Sequence, residues 1–152
     1  MASLYLHIPF CKSRCIYCDF YSGTDTSQRA SYVQALCDEL KLRSTYLPTR
    51  VLDSIYFGGG TPSLLQKEDF ERLFEAIQTH FTLLPATEIT LECNPDDLTA
   101  SYVAQLQALP FNRISIGIQS FDDVELRFLN RRHTAQQAQD AVALCQAHGF
   151  DN

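Results

Sequence analysis

Positive charge is scarce in this 152-residue chain: 12 lysines and arginines stand against 18 aspartates and glutamates, a formal net charge of −6. A nucleic-acid partner or a polybasic membrane anchor needs the opposite balance, so neither is expected. No apolar run approaches the roughly 18 residues that a membrane-spanning helix requires. The N-terminus lacks a basic stretch, and its short apolar run stops at Pro9 and Cys11, so it does not read as a secretory signal. Without that signal, a disulfide framework for the six cysteines lacks its oxidising compartment, and a cytoplasmic location is expected. Fixed-period repeats, low-complexity tracts and long Gly/Ser linkers are also missing. At 45% apolar and 20% charged, the composition is that of a globular core rather than a disordered chain. The length suits one domain, or part of one.

Three of the six cysteines are concentrated in one run, Cys11-Lys12-Ser13-Arg14-Cys15-Ile16-Tyr17-Cys18, directly after the apolar stretch 4–10. Soft thiolates are the usual ligands of iron–sulfur sites, and three on one loop can each take one iron of a cubane. The fourth iron then has no protein ligand and stays open. A structural zinc site is the competing reading, but it usually draws four ligands from two paired knuckles. No second CxxC or HxxxH pair is present. Cys37, Cys93 and Cys145 are isolated on otherwise apolar faces and are expected to be small buried hydrophobes.

Strand and helix signals alternate along the chain. Strands are expected at 3–8, 52–57, 87–93 and 113–118. Helices are expected at about 27–46 (Val33, Leu36, Cys37, Leu40), 67–80 (Phe70, Leu73, Phe74, Ile77) and from the Thr99 cap onward (Tyr102, Val103, Leu106, Leu109). Two more follow at about 122–129 and 135–148, the second capped by Thr134 and ended by Gly149. Repeated β-α units imply an α/β fold with a parallel sheet covered by helices, whose function gathers at the C-terminal strand ends. Four strands are too few to close a barrel. The chain stops where a fifth strand should begin, so residues 1–152 read as one domain truncated there.

The distinctive residues fall at those strand ends. Gly58-Gly59-Gly60-Thr61 lacks the frame and lysine of a phosphate loop. It is either a plain strand-to-helix turn or a place where backbone approaches a ligand. Glu92 closes an apolar strand, as a solvated end or as a buried carboxylate that needs a partner. Gln119 by itself is a polar plug in the sheet, and Arg131 by itself a surface residue of a helix end. Tyr5 and Tyr17 are core aromatics or ligand contacts. His7 reads as a hydrogen-bonded core histidine ahead of a cluster or haem ligand, and His133 is ambiguous in the same way. Asp38, Glu39, Lys41 and Arg43 form a solvated helix face.

Taken in order, Tyr5-Leu6-His7-Ile8-Pro9-Phe10-Cys11, Phe57-Gly58-Gly59-Gly60-Thr61-Pro62, Glu92-Cys93-Asn94-Pro95, Gly117-Ile118-Gln119-Ser120-Phe121 and Leu129-Asn130-Arg131-Arg132-His133 resemble one branch of the radical S-adenosylmethionine (SAM) superfamily. That branch holds the oxygen-independent coproporphyrinogen III oxidases and the haem chaperones of the HemW type. The resemblance implies the N-terminal (β/α)4 part of a partial TIM-type barrel. It also implies a [4Fe–4S] cluster on Cys11, Cys15 and Cys18, with SAM chelating the open iron. SAM contacts are implied for Tyr5, Tyr17, Gly59, Gly60, Thr61, Glu92, Gln119 and Arg131. In the oxidases the chemistry is reductive cleavage of SAM and hydrogen abstraction from a porphyrinogen propionate. Those oxidases carry a further cysteine two positions after the third, where this chain has Phe20. Cys18-Asp19-Phe20 resembles the chaperone form, which is expected to put a buried aromatic beside the cluster. The implied ligand of the full-length protein is haem or a porphyrin. The implied partners are a haem-acceptor protein and an electron donor. The oxidase is the runner-up, and an electron-transfer or redox-sensing iron–sulfur protein comes third.

Overall fold

The computed structural model describes residues 2–152. Four parallel strands, β1 (Ser3–Ile8), β2 (Val51–Gly59), β3 (Thr82–Cys93) and β4 (Arg113–Ile116), lie in the order β1-β2-β3-β4. Parallel neighbours need long crossovers. Helices α1 (Arg29–Leu42), α2 (Lys67–His80) and α3 (Ala100–Gln107) supply them, followed by α4 (Asp123–Phe128) and α5 (Ala135–Ala147). This is the expected α/β architecture. At the open edge of β4, the N–H of Ile114 donates to the carbonyl of Asn152 at 3.0 Å.

The period-two pattern of the strands decides which face is covered. Leu6 and Ile8, Ile55 and Phe57, and Ile89, Leu91 and Cys93 all point to the helix side and are buried. Phe57 is the centre of that core: its ring meets Phe70, Phe74 and Phe111 at 5.3–5.8 Å between centroids. The α2 face Phe70, Leu73, Phe74 and Ile77 is buried as its helical spacing requires. Residues of the other parity, Tyr5, Tyr56, Thr90, Glu92 and Ser115, share the opposite, more polar face of the sheet.

Several element ends differ from the sequence-based bounds. Strand β2 continues through Gly58 and Gly59, which pair with His7 and Ile8, so the first two glycines are strand rather than turn. Strand β3 begins at Thr82 because Thr82 and Leu83 pair with Val51 and Leu52. Strand β4 stops at Ile116, where the chain enters tight turns at Gly117 and Gln119. Helix α1 ends at Leu42 rather than 46. The caps hold as read: Thr99 accepts from Tyr102 N–H, Thr134 forms a capping box with Gln137, and Gly149 has φ 82°. Cys93 and Cys145 are buried, but Cys37, itself on α1, is only half-buried, its Sγ 3.8 Å from the Arg72 carbonyl of α2.

Candidate cluster and SAM site

At the C-terminal ends of the strands, four loops surround one cavity of about 630 Å³. Cys11, Cys15 and Cys18 all line it, together with Tyr17, Gly59, Gly60, Thr61, Glu92, Gln119 and Arg131. Ten of the eleven residues singled out from sequence thus come together. Tyr5 does not: it is 58% exposed, its ring stacks on Tyr56 at 6.1 Å, and its hydroxyl lies 3.0 Å from His7 Nδ1. Phe20 lines the same cavity, but at 62% exposure it is an open aromatic, not the buried one expected.

The cysteine loop is closed at its base by two backbone bonds, Cys11 N–H to Gly23 O (2.9 Å) and Gly23 N–H to Pro9 O (2.8 Å). Its far side is held by Asn130, whose amide donates to Arg14 O at 2.7 Å. His7 contributes as well, with Nε2 2.8 Å from the carbonyl of Tyr21. His7 is therefore hydrogen-bonded, as read, though it braces the loop rather than filling the core.

Two glycines have different reasons to be glycine. Gly59 has φ 112°, which side chains rarely tolerate, and a Cβ there would sit 2.7 Å from the His7 ring. At Gly60 a Cβ would fall 2.7 Å from Phe10 O and 2.9 Å from Cys11 Sγ, so the turn nests against the cysteine itself. Glu92 is a paired carboxylate rather than a solvated strand end: it accepts from Tyr56 O–H at 2.5 Å and from Gly59 N–H at 3.1 Å. Burial, with Glu92 adding, holds the Tyr56 phenol above its usual range, so it stays a donor.

Arg131 joins three loops. It donates to Asn94 Oδ1 at 2.7 Å, to the carbonyl of Gly117, and to Cys15 Sγ at 3.3 Å. Asn94 passes the contact on to Thr61 Oγ1 at 3.1 Å, and Thr61 Oγ1 lies 3.6 Å from Cys11 Sγ. A second hub escaped the sequence reading altogether. Asp97, buried, accepts from Ser63 Oγ at 2.8 Å and pairs with Lys12, while Arg132 bridges it to Asp96. Each of these contacts falls on or near a site residue in sequence: Lys12 follows Cys11, and Arg132 follows Arg131. Tyr56 could have been found from strand parity, since it shares a face with Gly58 and opposes Phe57. Asp97 left no local signal.

The residues present fit an iron–sulfur cluster with an anionic partner. The three thiols are free and face one cavity, and donors from Arg131 and Thr61 approach two of the sulfurs, as a charged thiolate favours. The Nε of Arg131 is buried without a partner, an unused donor beside the cavity. Among the described residues, no three His, Cys, Asp or Glu side chains converge on a single ion. A cubane takes each thiolate on a different iron, so it calls for sulfurs spaced around a cavity. No helix among the described residues is long and apolar enough to cross a membrane.

Comparison with known proteins agrees with this geometry. The heme chaperone HemW of Lactococcus lactis is 38% identical over 151 residues, covering 99% of this chain and 39% of that protein. The oxygen-independent coproporphyrinogen III oxidase of Bradyrhizobium diazoefficiens is 37% identical over 154 residues, 98% of this chain and 34% of that protein. Among solved structures, coproporphyrinogen III oxidase (HemN) from Escherichia coli superposes with a TM-score of 0.88 at 29% identity, over 98% of this chain and 35% of that one. The chain thus spans about two-fifths or less of these relatives' length. The radical SAM superfamily profile matches residues 5–152. With nearly every residue inside that match and three thiols on one cavity, the chain belongs to the radical SAM superfamily, whose members carry a [4Fe–4S] cluster and SAM.

Proposed function

We propose that this chain is the cluster- and SAM-binding part of a longer haem chaperone of the HemW type, which binds haem and delivers it to an acceptor protein. The observation that carries the reading is Phe20, which lines the cavity two positions after Cys18, where the oxidases carry a cysteine. An apolar ring there gives the ligand-facing rim no extra thiol for chemistry on a substrate. Five of the relatives at 36–38% identity are named heme chaperone HemW, which supports the same reading.

In this scheme Cys11, Cys15 and Cys18 hold the cluster, and Gly60, Thr61, Glu92, Gln119 and Arg131 shape the SAM site, with Tyr17 at its rim. Tyr5 acts at one remove, through the Tyr56 ring on which it stacks. When bound, cluster and SAM supply electron transfer to the sulfonium. The chain's own residues do the rest. Glu92 is oriented by Tyr56 and Gly59, and Arg131 places a guanidinium beside Cys15 and the cavity. An electron donor and a haem-acceptor protein complete the proposed set of partners, in the cytoplasm.

The second reading, an oxygen-independent coproporphyrinogen III oxidase, is favoured by the TM-score of 0.88 to HemN. The deciding experiment uses the full-length protein with reconstituted cluster. It combines a haem titration with product analysis on coproporphyrinogen III under reducing, anaerobic conditions with SAM. Haem binding without turnover is expected. Steady turnover with no haem bound would reverse the two readings.

A further inference from the structure

The run Arg131-Arg132-His133 reaches the end of β4 at two successive carbonyls. Arg131 donates to Gly117 O, and His133 Nε2 lies 3.0 Å from Ile118 O. A carbonyl oxygen only accepts, so Nε2 carries the proton, while Nδ1 is buried without a partner. The next residue, Gln119, has φ 71°. The N–H of Ser120 donates to the same Ile118 oxygen at 3.0 Å. A bond from residue i+2 back to residue i around a positive φ is a γ-turn of the rare, strained hand. Glycine or asparagine would take that backbone shape readily; glutamine does not. Such strain persists only where the surroundings over-determine it.

Here the surroundings are His133. Its imidazole and the Ser120 N–H both donate to one oxygen, the acceptor that defines the turn. Within that turn Gln119 lines the cavity, and its side-chain amide folds back over Gly117, 3.4 Å from where a Cβ on Gly117 would sit. His133 is 3% exposed and absent from the cavity wall, so it does not touch a ligand there.

We propose that His133 is a positioning residue: by holding the Ile118 carbonyl it fixes the strained turn that presents Gln119 to the SAM cavity. The proposal rests on the reading of that cavity as a SAM site. Without the imidazole the turn relaxes toward negative φ, and Gln119 leaves its place beside Arg131.

The test compares full-length, cluster-loaded wild type with His133→Leu and His133→Gln. SAM affinity is read by calorimetry, and iron and sulfide content by analysis. Loss of one hydrogen bond that acts through geometry should weaken SAM binding about tenfold in His133→Leu, at unchanged cluster content. His133→Gln keeps an amide N–H that reaches Ile118 O and should return to within about threefold of wild type. Equal affinity in wild type and His133→Leu would overturn the proposal. So would His133→Gln as weak as His133→Leu. Hydrogen exchange of the Ser120 amide, measured without SAM, keeps the two readings separable. It should quicken in His133→Leu and recover in His133→Gln. Unaltered exchange overturns the positioning role, whereas failure of wild type to bind SAM overturns the reading of the cavity.

Discussion

On the helix-covered side of the sheet, Phe57 is wholly buried among three other phenylalanines; two residues along the same strand, Gly59 has no side chain at all, and its N–H donates to Glu92. The first region is held by contacts without direction, and many apolar residues could share the burial. The second is held by one-to-one contacts: Arg131 to Cys15, Asn94 to Thr61, Tyr56 to Glu92, Asp97 to Ser63. Stability is therefore concentrated on the covered face, and chemistry at the strand ends. The strand-end region also carries the strain, with the non-glycine residues Gln119 and Asn130 at positive φ.

Removing a sulfur separates the two regions most sharply. After anaerobic reconstitution, Cys15→Ala should assemble no [4Fe–4S] cluster, against about four irons and four sulfides in the wild type. Electron paramagnetic resonance with iron and sulfide analysis reads this. The unfolding free energy of the cluster-free protein should change by no more than about 1 kcal/mol, the lost Arg131 contact, because Cys15 sits on a loop outside the core. Full iron retention would break the division between the two regions.

The converse experiment is in the core. Phe57→Ala should cost about 3–5 kcal/mol in urea unfolding, through lost burial and the cavity left among Phe70, Phe74 and Phe111. A cost under about 1 kcal/mol would mean that the aromatic cluster is not the centre of stability that its burial indicates.

The smallest expected effect is one of pH, and it tests whether the strand ends also feed back on stability. Burial first, with Arg131 and Arg132 adding, outweighs the Ile118 carbonyl and Asp96 and lowers the His133 pKa from its ordinary 6.5. The native imidazole is therefore neutral where the unfolded one already takes a proton. Its contribution is complete above pH 6.5 and is lost as pH falls from there through the folded pKa. The slope is at most about 1.4 kcal/mol per pH unit. Wild type should lose this component below pH 6.5 and His133→Gln should not, so the two unfolding curves converge as pH drops. Curves that stay parallel would rule it out.

Much of the covered face was legible in the order of residues. Alternation in Leu6-His7-Ile8 and Ile55-Tyr56-Phe57, and helical spacing in Phe70, Leu73, Phe74 and Ile77, are local patterns. A strand or helix expresses them whatever lies opposite. The cysteine spacing is local too, so the loop and its chemistry could be read before any fold. Cys37 shows the limit of such patterns: its place on an apolar face was right, but how far α2 covers it depends on packing.

The strand ends were legible only as positions. That Glu92, Gln119 and Arg131 gather at the strand ends could be read from their motifs; what holds them could not. Arg131 and Cys15 stand 116 positions apart in the chain, and Lys12 and Asp97 stand 85 apart. No periodicity links such pairs. The sequence by itself determined the alternation of strands and helices, the buried face and the three-thiol loop, because each depends on neighbours within a few residues. Only the tertiary structure decided that Phe20 stands open, that Tyr5 stacks on Tyr56 outside the cavity, that Asp97 joins the loops and that His133 meets the Ile118 carbonyl of a strained turn. Those are properties of directional bonds, and a directional bond exists only once both of its ends have been placed.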